Sequence, residues 1–229
     1  MRDNTVGSLN ELDTLITNCE SAYIFGLWCA DGYFWSSSIG ITNVDRPLVN
    51  RFARYLETMF PEERIKLRTY YPPGQKPNGI VGPAYPMRLA KQVAYQLYVN
   101  SRPLLRLFQK AERNVALLST EYILAYFAGR FDGDGSVDKN LRNDLRIVYS
   151  NKEEAITDQN LLTKLNCYKT RVYHYKGART YVLYVCRNDA GQFLHSIAPY
   201  SMKVQTFLPR RDSVRSLIGL DGNTHNIIP

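Results

Sequence analysis

The 229-residue sequence predicts an α+β protein built of two similar halves. Three observations carry this. A helix-length segment recurs: Ala22, Gly26, Ala30 and Asp31 return as Ala125, Gly129, Gly133 and Asp134, each 103 residues on. Behind each copy, strand-like alternation and helix-like periodicity follow in the same order. The composition, 45% hydrophobic with 22% charged and 12% aromatic residues, is globular, with enough chain for one sizeable core or two small ones.

The recurring segment runs Ala22–Gly32 in the first copy and Ala125–Gly135 in the second, with Tyr23 and Tyr126 also matching. Small residues at i, i+4 and i+8 lie on one face of a helix, so two such helices can approach closely. The other positions (Ile24, Phe25, Leu27, Trp28; Phe127, Phe131) are bulky and apolar, which predicts burial nearly all round. Gly32 and Gly135 then stop the helices. Asp31 and Asp134 fall at the C-terminal ends, where a carboxylate opposes the helix dipole. If the small stripes meet, the two carboxylates also lie near each other. A divalent cation resolves that conflict, and oxygen ligands suit Mg²⁺. A calcium loop starting at Asp132 is excluded: its sixth position needs Gly and holds Val137, and its twelfth needs Glu and holds Asn143.

The elements follow in order. In the first half, Tyr33–Trp35 and Ser38–Asn43 read as strands. Asp45 can cap a helix reaching about Phe60, with Leu48, Phe52, Leu56 and Met59 at helical spacing. Ile65–Tyr70 alternates as a strand, and Tyr71–Pro83, with four Pro and three Gly, is a long loop. Ala84–Leu89 reads as a strand and Lys91–Val99 as a helix. In the second half, Asp144–Ser150 is a strand and Lys152–Leu165 a helix. Cys167–Tyr175 and Thr180–Cys186 form a hairpin through Lys176–Arg179, and Asp189–Ile197 is a helix. Each half, 1–112 and 113–229, is thus helix, two strands, helix, two strands, helix.

The net charge is +8, and its distribution is informative: residues 65–111 hold eight Lys/Arg and residues 159–188 hold six, with no acid in either stretch. Such stretches suit a polyanion, because each phosphate contact releases counterions. The strands carry the basic residues. Lys66, Arg68 and Tyr70 share one face in the first half; Arg171, Tyr173 and Tyr175 share one in the second, with Arg146 and Arg187 nearby. A β-surface of this kind can enter a major groove, or it can simply face solvent. The four cysteines (Cys19, Cys29, Cys167, Cys186) form no C-x-x-C pair, which argues against zinc and for buried thiols. No apolar run reaches the roughly 18 residues of a membrane span. The polar N-terminus shows no signal peptide, so the expected location is intracellular, in a cytoplasm or an organelle.

With both copies in view, the repeat resembles the signature of the LAGLIDADG homing endonucleases in their monomeric, two-motif form. Ile24–Gly32 and Phe127–Gly135 occupy the nine signature positions. The resemblance implies two pseudo-symmetric αββαββα halves packed through the motif helices, forming a β-saddle over double-stranded DNA. It implies that Asp31 and Asp134 bind the catalytic Mg²⁺, and that both strands of a long pseudo-palindromic site are cut to leave 3′ overhangs. Asn43 and Asn151 match an amide that orders active-site water in the family; capping the next helix is the other role open to them. Lys203, in Pro199–Lys203, resembles the basic residue lining the central pocket. Phe108 stands at the corresponding place in the first half, with Arg106 or Lys110 as substitutes. The sixth signature position is Cys29 in one copy and Asp132 in the other. No role falls to His174, His195 or His225. The alternative on the same scaffold is an intron-RNA maturase, or a dual endonuclease–maturase. The chain is too short to include a protein-splicing domain, so an intron-encoded or free-standing protein is expected.

Overall fold

The computed structural model describes residues 12–80, 82–137, 145–165 and 168–207. The chain forms two compact units, Met1–Gly135 and Ser136–Pro229.

The first unit is organised by two helices. Helix α1 (Cys19–Asp31) opens with a capping box: the Ser21 amide donates to Asn18 Oδ1 at 2.8 Å and the Asn18 amide donates to Ser21 Oγ at 3.1 Å. Helix α4 (Thr120–Asp134) is capped by Ser119, whose hydroxyl accepts from the Tyr122 amide. The two pack along their small-residue stripes. A Cβ built on Gly26 would lie 1.9 Å from the Tyr126 carbonyl oxygen, and one on Gly129 would lie 2.0 Å from that of Tyr23. No side chain fits at either point. Both helices are buried on nearly every side, as their composition predicts. Gly32 and Gly135 end them with ordinary φ values of −58° and −85°, not in the left-handed region. Their requirement is steric: a Cβ at Gly135 would meet the Phe131 ring at 2.1 Å. Because α4 packs on α1, the packing boundary falls after Gly135; the division expected at residues 112 and 113 rests on the sequence repeat and not on packing.

Between the motif helices run β1 (Gly32–Trp35), β2 (Ser38–Asn43), α2 (Arg46–Glu57), β3 (Ile65–Tyr71), β4 (Ala84–Pro86), β5 (Ala94–Asn100) and α3 (Arg102–Asn114). The sheet order is β1-β2-β5-β3-β4, with every pair antiparallel except β3/β4. The helix expected over Lys91–Val99 is therefore wrong; that segment is the central strand β5. Tyr95, Leu97 and Val99 alternate with Gln96 and Tyr98, and pairing on both edges decides the conformation. The helix lies further on, in α3, capped by Ser101 with Pro103 in its first turn. Asp45 does not cap α2 with its side chain. Its amide instead donates to Asn43 Oδ1 at 2.6 Å. One sheet face (Ile39, Ile41, Leu97, Val99) is buried, as are Leu48, Phe52 and Leu56 of α2 and Leu104, Leu105 and Phe108 of α3. Each such side chain contributes about 1.5–3 kcal/mol.

The second unit continues through β6 (Gly135–Val137), β7 (Leu145–Tyr149), α5 (Lys152–Lys164), β8 (Thr170–Tyr175), β9 (Thr180–Val185), α6 (Arg187–Ile197) and α7 (Met202–Phe207). Its four-stranded sheet has the order β6-β7-β9-β8. Leu145, Ile147, Leu183 and Val185 are buried, with Leu161, Leu162, Phe193 and Ile197 of the helices. Buried Asp158 accepts from the Tyr149 hydroxyl at 2.8 Å. Cys19, Cys29 and Cys186 are in no disulfide and are half-buried, where full burial was expected; Cys167 lies outside the described residues. Among the described residues no helix is long and apolar enough to cross a membrane.

Candidate functional site

Asp31 and Asp134 are the last residues of α1 and α4, and both are half-buried. The packing that joins the glycine stripes also joins these helix ends. A Cβ on Gly133 would lie 2.4 Å from Ala30 Cβ and 2.7 Å from Asp31 Oδ2. The Asp31 carboxylate thus lies against the backbone of the residue preceding Asp134, at a helix end with no basic residue of its own in the last turn of either helix.

The local chain path supplies a partner for Asp31. Helix α1 runs directly into β1, and β2 folds back on it in the register Gly32↔Ile41. That return brings Asn43, the last residue of β2, to the helix end, where its Nδ2 donates to Asp31 Oδ2 at 2.7 Å. Its oxygen meanwhile accepts from the Asp45 amide, so the side chain is held at both atoms. Asn151 behaves differently: its oxygen accepts from the amides of Glu153 and Glu154 at 2.8 and 3.5 Å and caps α5. Of the two roles open to this pair in the sequence, capping is seen at Asn151; Asn43 instead binds the Asp31 carboxylate and the Asp45 amide and caps no helix.

Two further devices stabilise the helix pair. Arg130, only 2% exposed within an apolar helix, donates from Nη1 to the Cys29 carbonyl in the last turn of α1. A cation at that point offsets the negative helix end beside Asp31. Its counterpart in the first copy is Leu27, so the device is one-sided. Tyr23 donates to Asp132 Oδ2 at 2.7 Å, satisfying a carboxylate that is 1% exposed. Burial, and after it the Asp132 charge, push the Tyr23 hydroxyl far above the usual phenol range. The Arg51 guanidinium lies 3.4 Å from the Tyr23 ring centroid and bonds Glu20 at 2.8 and 2.5 Å.

These residues suit a divalent cation by donor chemistry: two half-buried carboxylates, one oriented by an amide, with hard oxygen atoms. Among the described residues there is no cluster of three or more His, Cys, Asp and Glu able to hold a metal.

Each sheet has one polar, aromatic face. In the first unit Lys66, Arg68 and Tyr70 share it, as expected, with Gln96 and Tyr98 across the β3/β5 ladder. Arg68 lies over the Tyr98 ring at 4.8 Å, and the Tyr70 hydroxyl donates to Gln96 Oε1 at 3.2 Å. In the second unit Arg171, Tyr173 and Tyr175 are exposed along β8. Arg146 of β7 reaches the same face and lies 5.2 Å from the Tyr184 ring; Tyr175 and Tyr184 share a hydroxyl–hydroxyl bond at 2.5 Å. Arg187 is exposed at the first residue of α6, off the strand face.

Lys203 is half-buried on α7, a helix capped by Ser201. Phe108 is core, with its ring centroid 5.1 Å from that of Trp28 and 5.9 Å from that of Phe25. Arg106 and Lys110 are exposed on α3. His174 stacks on Tyr181 at 4.6 Å. His225 lies outside the described residues.

The sequence reading missed the Arg130–Cys29 bond and the Tyr23–Asp132 bond, and Gln96, Tyr98 and Tyr184 as face residues. An arginine within an otherwise apolar helix was a readable signal, as was Tyr184 in an alternating strand. Gln96 and Tyr98 were hidden by the mistaken helix.

A family model described as a LAGLIDADG-like domain matches residues 18–111 and again 121–198. Among solved structures, the chain is similar to I-DmoI in complex with DNA and Mn, at 20% identity over 78% of this chain and 96% of that one, with a TM-score of 0.55. For I-DmoI with DNA and Ca the values are 20% identity, 82% and 96% coverage, and a TM-score of 0.59. Full-length DUF199/WhiA from Thermatoga maritima matches at 13% identity over 99% of this chain and 69% of that one, with a TM-score of 0.60. At these identities the likeness establishes the α+β fold. No curated protein matches the sequence. The paired motif helices, the repeated order of elements and the two-part match agree: this chain belongs to the LAGLIDADG family and carries the domain twice.

Proposed function

We propose that the chain is a site-specific, metal-dependent DNA endonuclease that acts as a monomer and hydrolyses both strands of a long, roughly palindromic site. The observation that carries this reading is the packing of α1 on α4 where no Cβ fits, which sets Asp31 Oδ2 beside Gly133, the residue before Asp134. Support comes from I-DmoI, described as a homing endonuclease and solved with its target DNA in the presence of Mg.

Asp31 and Asp134 would hold the divalent ion, Mg²⁺ being the natural choice for carboxylate oxygens. When bound, the ion supplies charge stabilisation and a more acidic water. The chain's own residues do the rest. Asn43 fixes the Asp31 carboxylate through its amide. Arg130 offsets the helix end behind it. Lys203 is the candidate cation for charge developing on the phosphoryl oxygens. The Lys66/Arg68/Tyr70 face and the Arg146/Arg171/Tyr173/Tyr175 face would grip the duplex, and Arg187 would add a phosphate contact. Asn151 serves the second unit by capping α5. The reaction adds water to phosphorus and breaks the bond to the 3′ oxygen, leaving a 5′-phosphate and a 3′-hydroxyl.

The test is incubation with a randomised duplex library and Mg²⁺, followed by mapping of the cut ends. Recovery of one long site, cut on both strands, is expected. A chain that binds structured intron RNA and cuts no duplex in the library would replace this reading with the maturase one.

A further inference from the structure

The two sheets differ at their outer edges. In the second unit the sheet ends at β8, which returns through residues 176–179 directly into β9. In the first unit the equivalent strand β3 is followed by residues 72–93, and part of that segment adds a fifth strand, β4. The pairing is parallel, with Thr69↔Ala84, Tyr70↔Tyr85 and Tyr71↔Pro86 in register. Two flanking bonds fix it: the Thr69 amide donates to the Pro83 carbonyl at 2.9 Å, and the Met87 amide donates to the Tyr71 carbonyl at 2.8 Å.

Register decides where β4 points. Paired residues in a parallel ladder project to the same face, so Tyr85 joins the face of Lys66, Arg68 and Tyr70. The ring centroids of Tyr70 and Tyr85 are 6.0 Å apart, and Arg68 lies close enough to both to feel their hydroxyls. Tyr85 remains 46% exposed, with exposed Met87, Arg88 and Lys91 following it. The whole stretch from 65 to 111 holds no acid.

Protein pairing at this edge is disfavoured by the sequence. Pro86, whose backbone faces away from β3, carries no N–H to offer a further strand, which blunts the edge. A polyanion suits the exposed tyrosine and the basic residues around it. We infer that β4 is a recognition strand that lengthens the first unit's contact with duplex DNA beyond that of the second, with Tyr85 its principal contact. This rests on the proposed DNA-cleaving function.

One strand spacing is about 4.8 Å and one base-pair step about 3.4 Å, so the added strand covers about one to two base pairs. Hydroxyl-radical footprinting on the recovered site, with wild type, Tyr85→Ala and Tyr85→Phe, tests this. Tyr85→Ala should lose about one to two base pairs of protection at one end of the footprint, and Tyr85→Phe should keep them. A Tyr85→Ala footprint equal to wild type at both ends would overturn the inference. A wild-type chain that protects no duplex at all would instead bring down the endonuclease reading beneath it.

Discussion

At the scale of single residues, the helix interface depends on atoms that are absent. Gly26→Ala and Gly129→Ala each place a methyl within about 2 Å of a backbone carbonyl of the facing helix. Backbone cannot swing aside as a side-chain tip can, so each should destabilise by at least the 1–3 kcal/mol typical of overpacking. Gly177→Ala, where nothing lies within 4 Å, should be near neutral; urea unfolding compares all three. Tyr55 gives a prediction in pH. Burial pushes its hydroxyl from 10.0 to about 12. The unfolded chain releases this proton near pH 10 and the folded chain only near 12, so the contribution is complete below pH 10 and lost as pH rises towards 12. Tyr55→Phe keeps the ring contacts with Phe52 and Phe108 and should flatten that alkaline fall relative to wild type. Such residue facts are unevenly legible in sequence. The glycines were legible because they repeat. The Tyr23–Asp132 bond was not, since it joins residues 109 apart in the chain across a contact that no local pattern encodes.

At the scale of elements, most of the fold was readable because the period of each segment agreed with its place. The exception is β5. Its flanking Ala and Gln fit a helix, and only the strands on both sides show why it is extended. The paired asparagines were readable as positions but not as roles. Asn151→Ala should cost about 1 kcal/mol of stability, as loss of a helix cap does. Asn43→Ala should leave Asp31 without its amide donor and lower cleavage well beyond any loss of stability. Parallel denaturation and single-turnover cleavage separate the two, and equal losses of activity in both variants would contradict the distinction.

At the scale of the whole molecule, the basic stretches were visible in the sequence, and the strands gather them into two polar faces. Binding to duplex DNA should weaken linearly in log–log terms as salt rises, and Lys66→Ala should reduce the slope by about one. The two-motif organisation was legible from the repeat, and the fold class from the repeat together with the periodicities behind each copy. The target sequence was not, because it depends on side chains meeting base edges and on the deformability of bases never touched. The central claim is that one pair of carboxylates, delivered by two helices, performs the cleavage. Strand-resolved cleavage of the recovered site by Asp31→Asn and Asp134→Asn tests it most directly. Both variants should bind the duplex with Mg²⁺ present, and neither should cut both strands. Normal double-strand cleavage by either variant would contradict the account.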